Sequence, residues 1–342
     1  MQLECEAGVG GAAWDETVRS CSGSVFHSSA WSRYITRARS NTSAIRFRLV
    51  GDQGGTIGAA LGFRTRHRNP LVAPLTSELW FDAMPAVQPV PGAAERFVEL
   101  LESHATGAGD VEIAFGSFGY RGGSEVLRVR QYTLAERMEF ELDLSPSLDE
   151  LLKALEHKRR KNINKSKRAG VAVEDLAVEG GLLQLYRLHE ITWDRLEGRG
   201  ITRRGGDHAT GAGAPERELL ESGVGRLIGA RLDGEWLTVS LFTRFADQVY
   251  HVLSGHSPKA LEVQAPTQLL WESIARYRAE GARWFNFGGC AASARQPDAP
   301  EHGVFEYKRA FGGACLECAS GRRVLRPRRA ALARLLRAMT GH

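Results

Sequence analysis

The sequence predicts an α+β protein built from two similar domains in tandem. Three observations predict it. RFRLVGDQGGTIGAALGF in the first half reappears as RLIGARLDGEWLTVSLF in the second, and both read as β-hairpins about a charged, glycine-containing turn. Each is followed by a helix that ends in glycine and leads to an aromatic strand: FVELLESHATGAGDVEIAF and LLWESIARYRAEGARWFNF. The chain has 342 residues, long for one core, and 43% of them are apolar, enough to fill two. A cleft shared by two such domains is the natural place for a ligand.

The elements follow in order. Residues 1 to 22 carry little pattern. FHSSAWSRYITRAR opens a helix that Ser28 or Ser29 can cap, with Trp31, Tyr34 and Ile35 on one face. The first hairpin breaks at Gly51–Gly55. RTRHRNPLVAPLTSELWFDAMPAVQPVPG is proline-rich and reads as loop around one short strand, Leu79 to Phe81. A helix, a glycine break and a strand follow, and QYTLAERMEFELDL is a strand that closes the first half. SPSLDELLKAL opens the second half, where Ser147 and Glu150 have capping-box spacing. After a basic stretch and AGVAVEDLAV, GGLLQLYRLHEITWDRL is an amphipathic helix. The glycine- and arginine-rich run from Arg199 to Gly213 reads as a mobile loop. The second hairpin turns at Asp233–Gly234 within a strand meander.

The last third, Val249 to Gly313, organises the rest. Pro266 fits the first turn of a helix, Leu269, Leu270, Ile274 and Tyr277 give it one apolar face, and Gly281 ends it. Trp284, Phe285 and Phe287 form a buried strand that Gly288 and Gly289 end, leaving backbone uncovered for a ligand. Lys308 stands in an aromatic frame of Phe305, Tyr307 and Phe311. Such a lysine is either a snorkelling surface residue or a charge aimed into a cleft.

Charge and cysteine bound the rest. The net charge of +5 is concentrated in HKRRKNINKSKR, from His157 to Arg168, and in the tail GRRVLRPRRAALARLLRAM. Each is either a solvated helix face or a contact for a polyanion such as RNA backbone. In the tail, Leu332, Leu335 and Leu336 lie on one side, which suits a closing helix docked on the body as well as a membrane surface. The N-terminus shows no signal peptide, and no stretch approaches the roughly 18 apolar residues of a membrane span. A soluble, cytoplasmic protein is expected. The five cysteines are scattered and odd in number, which suggests free thiols. Cys315 and Cys318 have metal-ligand spacing but no second pair, so no metal is expected.

The Trp31 helix, the basic HKRRKNINKSKRAGV, the helix–GARWFNFGG unit and YKRAFGG together resemble the Fem family of peptidyltransferases, over nearly the whole chain. The family writes Phe before the Lys of the last motif, where this chain has Tyr307. The resemblance implies two tandem GNAT-like acyltransferase domains, each a mixed sheet flanked by helices. It sets them at 1–145, with 320–342 returning to the first, and 146–319. It implies transfer of an amino acid from aminoacyl-tRNA, as co-substrate, to an amine acceptor with formation of an amide, and no cofactor. Lys308 would be catalytic, supporting the charge that develops on the carbonyl oxygen. Tyr307, Phe311, Asn286, Gly288, Trp31 and Arg33 would bind substrate. Lys158, Arg159, Arg160, Lys161, Lys165, Lys167 and Arg168 would meet tRNA phosphates. The acceptor is a peptidoglycan precursor or a small-molecule amine. Peptidoglycan-acting members tend to carry a lysine shortly after the Trp of the first helix, where this chain reads Arg33, Tyr34, Ile35, Thr36 and Arg37. The ester is already activated, so positioning matters most and no strong general base is required. His251, His256 and Asp82 are candidate bases by residue type only.

Two other readings compete. An acyl-CoA-dependent N-acyltransferase of the GNAT superfamily would hold pyrophosphate on a glycine-rich loop at a helix N-terminus. HSPKALEVQAP and PAVQPVPG both lack that pattern. A catalytically dead RNA-binding module would have no use for Lys308 in its aromatic frame.

Overall fold

The computed structural model describes residues 1–67, 69, 72–119, 122–201 and 214–340. Most of the Arg199–Gly213 loop, from 202 on, lies outside the described residues. The chain divides into two compact units. One comprises Met1–Glu136 and Cys318–His342, the other Arg137–Glu317.

The first unit begins with strand β1 (Gln2–Ala7) and helices α1 (Ala12–Ser20) and α2 (Ser29–Ala38). Ser28 caps α2 by accepting a hydrogen bond from the Trp31 N–H. Strands β2 (Thr42–Val50) and β3 (Thr56–Thr65) form the first hairpin, with Thr42 opposite Thr65. The proline-rich stretch holds more order than its sequence suggests: a short helix α3 (Ala73–Thr76), strand β4 (Glu78–Phe81) and a two-residue strand β5 (Ala86–Val87) on β3. Helix α4 (Ala93–Gly107) crosses to β6 (Glu112–Phe115), which pairs in parallel with β4. Helix α5 (Ser124–Val129) follows. Phe47, Leu49, Phe81, Phe97, Leu101, Ile113 and Phe115 fill this core.

Strand β7 (Thr133–Asp143) does not close the first half. From Arg137 on it belongs to the second unit, where it pairs antiparallel with β12 (Trp284–Ala291). The second unit contains α6 (Leu148–Ala154), α7 (His157–Arg168), β8 (Ala172–Asp175), α8 (Val178–Glu197) and α9 (Glu216–Glu221). Then come β9 (Gly225–Leu232), β10 (Glu235–Phe245) and β11 (Gln248–His256). Asp233 and Gly234, both at positive φ, make the β9–β10 turn. Helices α10 (Pro258–Val263) and α11 (Ala265–Ala279) lead to β12, and α12 (His302–Arg309) follows it. Phe140, Phe242, Leu269, Ile274, Tyr277, Phe285, Phe287 and Phe311 form the core. Chain-terminal β13 (Ala314–Val324) and α13 (Pro327–Thr340) come last, and Gly321–Val324 pair antiparallel with β6.

The repeat seen in the sequence is deeper in the structure. In both units a strand, two helices and a hairpin precede a third antiparallel strand. A helix then returns to a strand parallel to that third one: β4 with β6, β11 with β12.

Helix α11 departs from the expected single apolar face. From Ala265 to Trp271 every residue is buried, polar Thr267 and Gln268 included. The Gln268 side chain reaches the Val171 carbonyl at 3.1 Å, which satisfies one of its groups away from water.

Candidate functional site

The site is made where two paired strands part. The parallel β11–β12 ladder runs from Gln248↔Trp284 to Tyr250↔Asn286. Past that point both strands are irregular. On β12 the register against β7 shifts between Asn286 and Gly289, so Phe287 and Gly288 stand against one residue of β7. On β11 the register against β10 shifts at Leu241/Phe242. A bulge adds a residue, breaks the ladder and re-aims the side chains beside it. Gly288 and Gly289 therefore lie inside β12 and do not end it. Gly288 has φ +71, and a Cβ there would stand 3.4 Å from the Lys308 Nζ and 3.6 Å from the Tyr250 hydroxyl.

A cavity of about 540 Å³ opens at this point, within the second unit, a volume that suits a small-molecule ligand or the end of a larger one. Residues from β11, β12, α8, α10, α11 and α12 line it. Helix α8 comes close because Gly255 has no side chain: a Cβ there would lie 2.3 Å from the His189 nitrogen. That approach brings Thr192, Trp193, Arg195 and Leu196 to the cavity.

Lys308 is aimed into it, which decides against the snorkelling surface residue. It sits near the end of α12, and its ammonium donates to the Gly289 carbonyl at 2.9 Å. Burial draws its pKa down to about 8, opposed by the charge of Glu139. An ammonium has three donors, so this bond leaves two for a ligand. Neighbouring Cys290 is pushed up to about 11 by burial and stays a thiol.

Beneath the bulge lies a residue that the sequence reading missed. The Glu139 side chain is fully buried and takes Arg137 at 3.0 Å, the Tyr250 hydroxyl at 2.9 Å and the Asn286 amide at 2.9 Å. Asn286 in turn accepts from the Gly288 N–H at 2.7 Å, which pins the bulge. The period-2 alternation of MEFELD marks Glu139 as facing the same way as Glu141, and spacing alone does not show which carboxylate is buried.

The histidines are poised as neutral groups. Burial, with the Lys308 charge beside it, lowers His251 to about 3, and its ring stacks on Phe242 at 4.8 Å. Burial, with Arg195 nearby, lowers His256 to about 4, and its Nδ1 meets the Thr238 hydroxyl at 2.7 Å. Bases so weak take little part in removing a proton from an amine at neutral pH. Asp82 is a residue of the first unit. Burial raises its pKa, while the bond from the Trp31 indole N–H at 2.7 Å opposes that.

The structure divides the other candidates. Asn286, Gly288, Tyr307 and Lys308 gather at the bulge and cavity. Phe311 is fully buried and supports Tyr307 edge-on at 5.4 Å. It is a core residue, not a surface for substrate. Trp31, also buried, and Arg33 belong to α2 of the first unit and do not line the cavity.

The basic helix α7 also splits. Lys158, Lys161, Lys165, Lys167 and Arg168 are exposed. The Arg159 guanidinium instead lies over the Tyr307 ring at 4.4 Å, and its Nε is buried. Arg160 donates to the carbonyls of Lys153, at 2.8 Å, and Leu155, closing the end of α6. Both arginines are engaged with the fold, where the resemblance implies contact with tRNA phosphates. Cys315 and Cys318 lie three apart on β13, and side chains so spaced on a strand point to opposite faces.

Residues 157–309 match the family model described as acetyltransferase (GNAT) domain. By that match the second unit carries an acetyltransferase-type domain, and the protein is an acyltransferase by class. No curated protein matches the sequence. Solved structures do match in fold. A crystal structure of FemX superposes with TM-score 0.77 at 14% identity, covering 97% of this chain and 99% of that one. The C-terminal domain of an Agrobacterium fabrum protein described as a lysylphosphatidylglycerol synthetase gives 0.56 at 14%, covering 94% of each. A tandem GNAT protein from the clavulanic acid biosynthesis pathway gives 0.51 at 11%, covering 94% of this chain and 98% of that one. At such identities the likeness is one of fold: a mixed α+β architecture of GNAT type.

Proposed function

We propose that the protein transfers an amino acid from aminoacyl-tRNA to an amine and forms an amide. The observation that carries this reading is the Lys308 ammonium at the wall of the second unit's cavity, held at the β12 bulge by the Gly289 carbonyl. The donor's ester carbonyl lies against that ammonium. The acceptor nitrogen adds to the carbonyl carbon, and the oxygen becomes an alkoxide that the ammonium stabilises. As the tetrahedral species collapses, the C–N bond remains and the ester C–O bond breaks. The proton lost by the amine ends on the ribose oxygen that leaves, so no further reactant is needed. Arg195 and Arg199, which also line the cavity, suit the phosphate next to that ribose. The exposed lysines of α7 suit phosphates further along the acceptor stem. The likeness to FemX and to the protein described as a lysylphosphatidylglycerol synthetase supports an aminoacyl donor.

The family model's description favours a second donor, acyl-CoA. The stretch before α11 speaks against it. Ser257 caps α10 with its own side chain, taking the Ala260 N–H at 3.2 Å, and Gln264 supplies the turn into α11 in place of a glycine run. Incubation with total charged tRNA or with acyl-CoA, in the presence of amines, separates the two. Amine-dependent loss of the acyl group from tRNA is expected. Loss from CoA alone would assign the donor to the second reading.

A further inference from the structure

The cavity also carries information about which acyl group it accepts. Lys308 marks the place of the reacting carbonyl. Around it, Val304 stands one turn earlier on α12, Phe287 lies on the bulge, and Leu269 and Leu270 come from the first turns of α11. No Asp or Glu occurs among the described residues that line the cavity, whereas Lys308, Arg195 and Arg199 do. Two carboxylates near Lys308 are engaged elsewhere: Glu139 is fully buried beneath the bulge and held by Arg137, Tyr250 and Asn286, and Glu301 accepts from the Ala291 N–H at 3.2 Å.

We infer that this site takes a large, uncharged, apolar aminoacyl group, of leucyl or phenylalanyl type, and rejects lysyl and arginyl groups. The inference rests on the aminoacyl-tRNA reading. A cationic side chain entering here leaves water, meets three like charges and finds no carboxylate among the described lining residues, which is costly for an unpaired charge. An apolar side chain replaces water along Val304, Phe287, Leu269 and Leu270 and gains from its burial. The donor's α-amino group is a separate matter. It titrates near 8, so it enters unprotonated at small cost, whereas a lysyl amine near 10.4 does not.

The test needs neither the acceptor nor turnover. Unreactive 3′-aminoacylamino-3′-deoxyadenosines carrying leucyl, phenylalanyl, glycyl and lysyl groups are titrated into the protein by calorimetry, with CoA as a parallel arm. The leucyl or phenylalanyl compound should bind about tenfold or more tighter than glycyl, and about 10²-fold tighter than lysyl. Lysyl binding as tight as leucyl, or glycyl binding tightest, would overturn the inference and leave the tRNA reading in place. No binding by any adenosine compound, with or without binding of CoA, would remove the tRNA reading and the inference with it.

Discussion

Lys308 holds a charge where burial opposes one, and that makes its proton informative. Its pKa stands near 8, below the ordinary 10.5. Between these values the unfolded chain holds a proton that the folded one has lost. The cost of burying the charge is therefore full below about 8 and fades as the pH rises through that window. Activity runs the other way. If the ammonium steadies the alkoxide, kcat/KM should fall as the pH rises through about 8, measured with an acceptor amine that titrates well below that value. A rate that climbs through 8 would make Lys308 a base and not a cation. Lys308→Met should fold normally, by circular dichroism, and turn over roughly 10²-fold or more slowly; a near-normal rate would take Lys308 out of the reaction. Glu139 is argued from the opposite side. Glu139→Ala leaves Arg137, Tyr250 and Asn286 without their shared acceptor in a buried place, so urea denaturation should show a loss of about 3–5 kcal/mol. A loss under 1 kcal/mol would mean that water satisfies the three donors.

At the scale of elements, much was legible. The Ser147–Glu150 capping box forms, Ser28 caps α2, and α11 ends at Ala279 with Glu280 as its cap and Gly281 behind it. These are local signals, fixed by residues three or four apart. What the sequence hid depends on partners far along the chain. MEFELD reads as a strand, but its pairing with β12, and so the burial of Glu139, comes from residues more than a hundred positions away. Gly288 and Gly289 read as a strand end in the sequence, where the structure has a bulge at Phe287–Gly288, because glycines mark both. In α7 the pattern of basic residues does not tell Arg159 and Arg160, which are turned onto Tyr307 and the end of α6, from the exposed lysines. That division gives a prediction for the helix. Lys158→Glu, Lys161→Glu and Lys165→Glu together should weaken tRNA binding and flatten the plot of log K against log salt by about two to three. Stability should stay within about 0.5 kcal/mol, as for other exposed positions. Unchanged binding and slope would make this face a solvated one. Arg160→Glu is the contrasting change: it removes the donor to Lys153 and Leu155 and should cost stability.

At the scale of the molecule, the chain's end is part of the first unit's fold. After β12 and α12 the sequence runs into β13, and from Cys318 on it is counted with residues 1–136. There Gly321–Val324 pair with β6, and Arg323 joins Arg130 and the Tyr132 hydroxyl on the Glu102 carboxylate. Leu325 packs against the core that contains Phe115 and Tyr132. A chain ending at Glu317 would lose all of this and leave β6 with an unpaired edge, whose N–H and C=O groups then depend on water. Strands β8 to β12 lie within Arg137–Glu317 and keep their partners there: β8 with β9, β9 with β10, β10 with β11, and β11 with β12. Hydrogen exchange on the truncated chain should therefore show lost protection at β4 and β6 and retained protection at β9, β10 and β11, because local opening follows local pairing and burial. Equal protection at β6 in the full and truncated chains would show that β4 and the Phe97–Leu101 face of α4 hold that strand without β13. Loss at β9–β11 as well would show that the two units do not open separately.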